Sequence, residues 1–310
     1  MRVTANTFPN SLVDQLNRLA NRQYQLQNMA ATGQRIRLPE DDPTAMRRVL
    51  DMQAETKGLT QYTRNIERLQ EVSTASFNSL KALKNVSDRA GEIAVRVDDL
   101  KSPAELTVLA DEVNELIKQA LQVANSRNRA DALFGGTKSD VDAFVAATDA
   151  SGRITGVTYQ GNTDLVESEI GSGVTIAAQV IGENRTGSGS RGLLADSRVG
   201  ADFFGHLISL RDNLLAGDVA AVDNDRAGLM NDEENYIYHL GTNGAVQGRL
   251  ETTMTVIRNR QQSLEKLVSR EADADLSQTI VRLTEVQTAY QAAMQSGGTI
   301  LNRSLLDFIR

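Results

Sequence analysis

The stretch LSQTIVRLTEVQTAYQAAMQSGGTILNRSLLDFIR, residues 276–310, carries Leu276, Ile280, Leu283, Tyr290, Met294, Leu301, Leu305 and Phe308 at steps of three, four and seven. A helix turns once in about 3.6 residues, so these eight side chains share one face. A lone amphipathic helix is marginal in water, and its stripe must be buried against something. No polar tail follows to cover it, so this seam predicts a partner, within the chain or outside it.

Upstream, Leu250, Met254, Ile257, Leu264 and Val268 form a similar seam. At the other end, Leu12, Leu16, Leu19 and Leu26 repeat with helical spacing, Gln23 filling the intervening place. A second helix is predicted from Asp42 as N-cap and Pro43 at the first helical position, with Ala45, Val49, Met52, Leu59, Ile66, Leu69, Leu80 and Leu83 on its seam. Its phase shifts through Val86, Ala90, Ile93, Val97 and Leu100. Ser102-Pro103-Ala104-Glu105 is a capping box that opens a third helix. Helical spacing returns at Val199, Phe203, Leu207, Leu210 and Leu214, and again from Asp218 to about Leu240, with a break or kink expected at Asn243-Gly244.

The segment between is of another kind, because 11 of the 23 glycines fall between Gly135 and Gly192. Short apolar runs at Ile154–Tyr159, Leu165–Ile170 and Val174–Ile181 predict strands there. The fold expected is mainly α: an elongated antiparallel helical rod, its coiled-coil-like arms drawn from both chain ends, with a small β-rich inserted domain. The arms span 1–134 and 196–310 and the insert 135–195; the terminal assembly regions are 1–40 and 275–310. The assembly interface expected consists of Leu12, Leu16, Leu19, Leu26 and the eight-residue seam of the opening stretch.

Composition narrows the function. In 310 residues, aromatics are 4% and tryptophan is absent, which suits aliphatic helix-on-helix packing. A net charge of −7 without a basic cluster argues against nucleic acid. No cysteine and only His206 and His239 leave little for thiolate, zinc or histidine-based catalysis. Neither a secretory signal nor a membrane span is legible.

Apparent motifs give way to plainer readings. Gly187-Ser188-Gly189-Ser190-Arg191-Gly192 fits a dinucleotide fingerprint in letters, but no βαβ pattern surrounds it, and a flexible linker is expected. Gly135-Gly136-Thr137-Lys138-Ser139 lacks the upstream glycine of a phosphate loop and is read as a turn leaving a helix. The pairs Asp140/Asp142, Asp223/Asp225 and Asp273/Asp275 do not continue into a calcium loop and are expected in solvated turns or caps. Neither histidine has a second ligand at metal spacing, so both are read as exposed or interfacial. No cofactor and no metal are expected.

Several segments together resemble the flagellin family, and within it the branch that joins the flagellar hook to the filament. They are Met1-Arg2-Val3-Thr4, Thr32-Gly33-Gln34-Arg35-Ile36, Pro39-Glu40-Asp41-Asp42-Pro43, Leu133-Phe134-Gly135-Gly136-Thr137-Lys138, Tyr159-Gln160-Gly161-Asn162, Asp273-Ala274-Asp275-Leu276, Gln287-Thr288-Ala289-Tyr290-Gln291-Ala292 and Ser304-Leu305-Leu306-Asp307-Phe308-Ile309-Arg310. The resemblance implies a structural, non-enzymatic subunit, exported unfolded by the flagellar type III route with a chaperone on its C-terminal helices. It implies a ring of like subunits, with a neighbouring hook-associated protein and filament flagellin as further partners. Membrane insertion is not expected. The alternatives are a filament flagellin and, more remotely, an enzyme with its site in 135–195.

Overall fold

The structure, a computed structural model, describes residues 7–98 and 100–308, with side chains described for 11–98 and 100–299. The motif Met1–Thr4 and the side chains of Leu301, Leu305 and Phe308 therefore lie outside the described residues. Among the described residues, six helices hold most of the chain: α1 Thr7–Thr32, α2 Pro43–Arg96, α3 Pro103–Ala124, α4 Phe203–Ala216, α5 Val219–Ala272 and α6 Leu276–Phe308. Nine short strands, β1 to β9, lie between α3 and α4. The chain divides into two compact units, one of residues up to Gly58 and from Asn259 onward, the other of Leu59–Arg258.

Helix starts follow local chemistry. Asp42 Oδ1 accepts the amide of Ala45 at 3.0 Å ahead of α2, and Ser102 and Glu105 form the expected capping box at α3. Asp218 and Asp275 likewise accept from Ala221 and Gln278 at the starts of α5 and α6. Asn243-Gly244 does not break α5, which runs unbroken through it. A glycine costs a helix only about 1 kcal/mol. Against that, Asn243 is buried and accepts a hydrogen bond from Ser73 Oγ at 3.1 Å, which holds this turn against α2.

In the first unit α1 packs against α6. In the second, α3 and α4 pack together, and the β3–β4 hairpin, Phe144–Thr148 with Ile154–Tyr159, lies on both. Ile154–Tyr159 is the strand expected from the sequence; the other two runs contribute the shorter β5 Ser168–Gly171 and β6 Val174–Ile176. The core joins Leu80, Leu83 and Ile93 of α2 to Ile117, Phe134, Phe144, Leu193, Leu194, Phe203 and Tyr236. Phe203 and Tyr236 meet edge to face with centroids 5.3 Å apart. Arg211 of α4, buried, donates to the Ile154 carbonyl at 2.6 Å and so fixes the hairpin to the helix. A smaller cluster packs Ile66 and Leu69 against Leu250, Met254, Ile257 and Ile170.

Candidate assembly surface

The motifs from the two chain ends meet in the first unit. Gly33 ends α1 with φ +71°, a conformation open to glycine because it has no Cβ. Its carbonyl then accepts the amide of Ala274 at 2.8 Å. Arg35 donates its backbone amide to the Ala272 carbonyl at 2.6 Å and its guanidinium to the Glu271 carbonyl at 2.6 Å. Arg48 of α2 pairs with the Glu271 carboxylate at 2.9 Å. Asp41 accepts the amides of Arg37 and Leu38 at 3.0 and 2.9 Å, and these bonds hold its carboxyl below the usual range. The turn from α1 to α2 and the turn from α5 to α6 are thus one hydrogen-bonded crossing.

Beyond the crossing, α1 and α6 run antiparallel. Leu12 lies against Gly297, where an added Cβ would stand 2.5 Å from Leu12 Cδ2. Leu12, Leu16 and Leu19 are half-buried and Leu26 is buried. On α6 the sheltered positions are Thr279, Leu283, Val286, Gln287, Tyr290, Ala293 and Gly297. At about 100° per residue, that face is turned about 40° from the centre of the apolar seam. Leu283 and Tyr290 fall inside the packed strip, whereas Leu276, Ile280 and Met294 stay 46%, 56% and 52% exposed on its flank. The apolar stripe of α6 is wider than the surface the chain covers.

A second uncovered flank went unread in the sequence. Val13 and Tyr24 of α1 are 53% and 65% exposed and, eleven residues or about three turns apart, point the same way. Their spacing was present, but the leucine stripe, centred about 115° away around the helix, dominates the periodicity.

The remaining motifs interlock in the second unit. Tyr159 Oη lies 2.8 Å from the Phe134 carbonyl and 2.9 Å from that of Asn162. Asn162 Oδ1 accepts the Thr137 amide at 2.9 Å and its Nδ2 donates to Thr137 Oγ1 at 2.6 Å. Burial raises the Tyr159 phenol to about 12, so it stays protonated and able to donate. The loop at Gly135–Ser139 is not the turn that leaves a helix: α3 ends at Ala124, where Asn125 takes both the amide and the carbonyl of Phe144, and the hairpin β1–β2, Arg127–Asn128 with Asp131–Ala132, intervenes.

Three further expectations need correction. The Gly187–Gly192 segment is no free linker: Asn184 Nδ2 donates to the Ser188 and Ser190 carbonyls at 2.6 Å, and buried Asp196 accepts the Gly192 amide at 2.9 Å. Asp225 is not a solvated turn residue but is buried, accepting from Ser209 and Asn213 at 2.7 Å. The histidines face inward: His206 Nδ1 lies 2.7 Å from buried Asp232, and His239, buried, places Nε2 3.1 Å from the Gly192 carbonyl. Among the described residues no group of three or more His, Cys, Asp or Glu could hold a metal ion, and no helix is long and apolar enough to cross a membrane.

Terminal helices from both chain ends, crossed and paired with each other, define a flagellin-type subunit. The bacterial flagellin N-terminal helical region matches residues 3–134 and the C-terminal helical region residues 239–308, together nearly two thirds of the chain. The chain belongs to the flagellin family. Its fold is similar to that of a Vibrio parahaemolyticus protein described as flagellar hook-associated, at TM-score 0.64 and 17% identity over 75% of this chain and 100% of that one. Bacillus cereus FlgL aligns at TM-score 0.55 and 17% identity over 71% and 99%. The flagellar junction protein FlgL of Legionella pneumophila aligns at 0.52 and 13% over 74% and 100%. No curated protein matches the chain significantly.

Proposed function

We propose that this chain is the structural subunit that joins the flagellar hook to the filament. The observation that carries the reading is the uncovered apolar flank of α6, Leu276, Ile280 and Met294, on a chain of the flagellin family. Each leucine-sized side chain removed from water contributes about 1.5–3 kcal/mol, so three per subunit offer a worthwhile contact once copies sit side by side. The partners are like subunits in a ring, a hook-associated neighbour on one side and filament flagellin on the other. Residues 1–40 and 275–310 are the assembly regions, with 135–195 as a small outer domain between the arms 1–134 and 196–310. Before export the same apolar helices are the segment an export chaperone covers. The protein then acts outside the cell, by contact rather than by catalysis.

Deleting the gene in its own bacterium tests this. Bare hooks with filament protein shed into the medium are expected, because filament growth has lost its adaptor. Missing filaments with intact junctions and no shed filament protein would instead make the chain a filament flagellin.

A further inference from the structure

The second unit contains a cavity of about 200 Å³ that the assembly role does not use. Its wall combines the apolar Leu165, Ile181 and Val246 with Arg191, His239 and Asn243, and no Asp or Glu lines it.

Arg191 differs from the other sheltered arginines. Arg198 and Arg211 each hold a carboxylate and a backbone carbonyl. The Arg191 guanidinium instead lies over the Tyr238 ring, 4.4 Å from its centroid, with no carboxylate partner among the described residues. Its Nε is buried and has no hydrogen-bond acceptor. Because the Nε is sealed from solvent, it is the outer edge of the guanidinium, engaged in no ion pair among the described residues, that a ligand in the cavity could reach and supply with an acceptor.

The neighbouring groups set the ligand's charge. His239 is only 5% exposed, and its Nε2 must carry the hydrogen to donate to the Gly192 carbonyl. Burial pulls His239 down to about 4, with the Arg191 charge adding to the effect, so the ring is neutral at pH 7. Asn243 Oδ1 already accepts from Ser73 and Gln247, which leaves its Nδ2 as the free donor. The cavity therefore offers one positive charge, a planar fork and an amide donor beside an apolar wall. A single negative charge with planar oxygens fits that set, whereas a phosphate dianion would remain half neutralised.

We propose that this cavity binds a carboxylate on a short aliphatic stem, its oxygens on Arg191 and the Asn243 amide and its stem against Leu165, Ile181 and Val246. About 200 Å³ is the space of roughly six waters, enough for a group the size of a glutamate side chain. The carboxylate comes either from a free organic acid or from an Asp or Glu of a second copy.

The test titrates the full-length protein with sodium glutarate, against sodium chloride at equal ionic strength, following the His239 ring resonances and the melting temperature. A saturable shift in the wild type, weakened at least tenfold in Arg191→Gln and less so in Arg191→Lys, is expected. No saturable shift, or equal affinity in Arg191→Gln, overturns the proposal. Should Arg191→Gln fail to fold, the wild-type comparison of glutarate with chloride still decides. Sedimentation separates the two sources: oligomers that glutarate dissociates identify the side chain of a second copy, and a monomer that binds glutarate identifies a free acid.

Discussion

The amide of Ala274 donates to the carbonyl of Gly33 at 2.8 Å, so a bond between two family motifs from opposite chain ends closes the crossing of the terminal helices. Gly33 holds φ +71° with open space where a Cβ would stand. Gly33→Ala therefore meets no clash and bears only the left-handed backbone cost, about 1–2 kcal/mol. Amide exchange at Ala274 in this variant is expected to quicken by at least fivefold; an unchanged rate would mean that the crossing does not depend on this conformation.

Tyr159→Phe removes the hydroxyl that faces the Phe134 and Asn162 carbonyls. With a carbonyl deprived of its donor in a buried setting, urea unfolding should show a loss of about 1–2 kcal/mol. Asn162→Ala loosens the same loop from the other side, so the pair of substitutions should be less than additive in a double-mutant cycle. Strict additivity would separate the two motifs energetically.

Stability between about pH 4 and 6 should be nearly flat, because two buried groups oppose each other. Burial raises Asp232 from 3.8 to about 6, so the folded state holds a proton the unfolded chain has lost, and stability falls as pH rises through that window. His239 is lowered from 6.5 to about 4, so the unfolded chain binds the extra proton and stability rises with pH. His206, raised by its bond to Asp232, adds stability that is lost as pH climbs through its folded value. Each unopposed proton changes stability by about 1.4 kcal/mol per pH unit. His239→Gln should thus unmask a decline from pH 4 to 6, and Asp232→Asn a rise; urea melts at pH 4.5 and 6.0 that share one slope sign would refute the assignment.

What was legible in the sequence was mostly local. Asp42 before Pro43 and Ser102 before Glu105 fixed helix starts because a cap needs only its own first turn. The strand Ile154–Tyr159 was likewise read from its own run. Where distant residues decide, the local sequence does not show the outcome. The end of α3 depends on Asn125 meeting Phe144, and the run through Gly244 on Asn243 meeting Ser73. The inward histidines depend on Asp232 and on the Gly192 carbonyl, neither near them in sequence. Periodicity found the α6 seam but not its uncovered edge, since which side of a stripe a neighbour covers is set by the packing of α1.

The most direct measurement of the assembly claim is to complement the gene deletion with Ile280→Asp and Met294→Asp. Both side chains are more than half exposed in the chain, so the purified variant should melt within about 0.5 kcal/mol of wild type. Electron microscopy should nevertheless show bare hooks, with filament protein in the medium. Normal filaments and motility from a variant that is exported and folded would contradict the account.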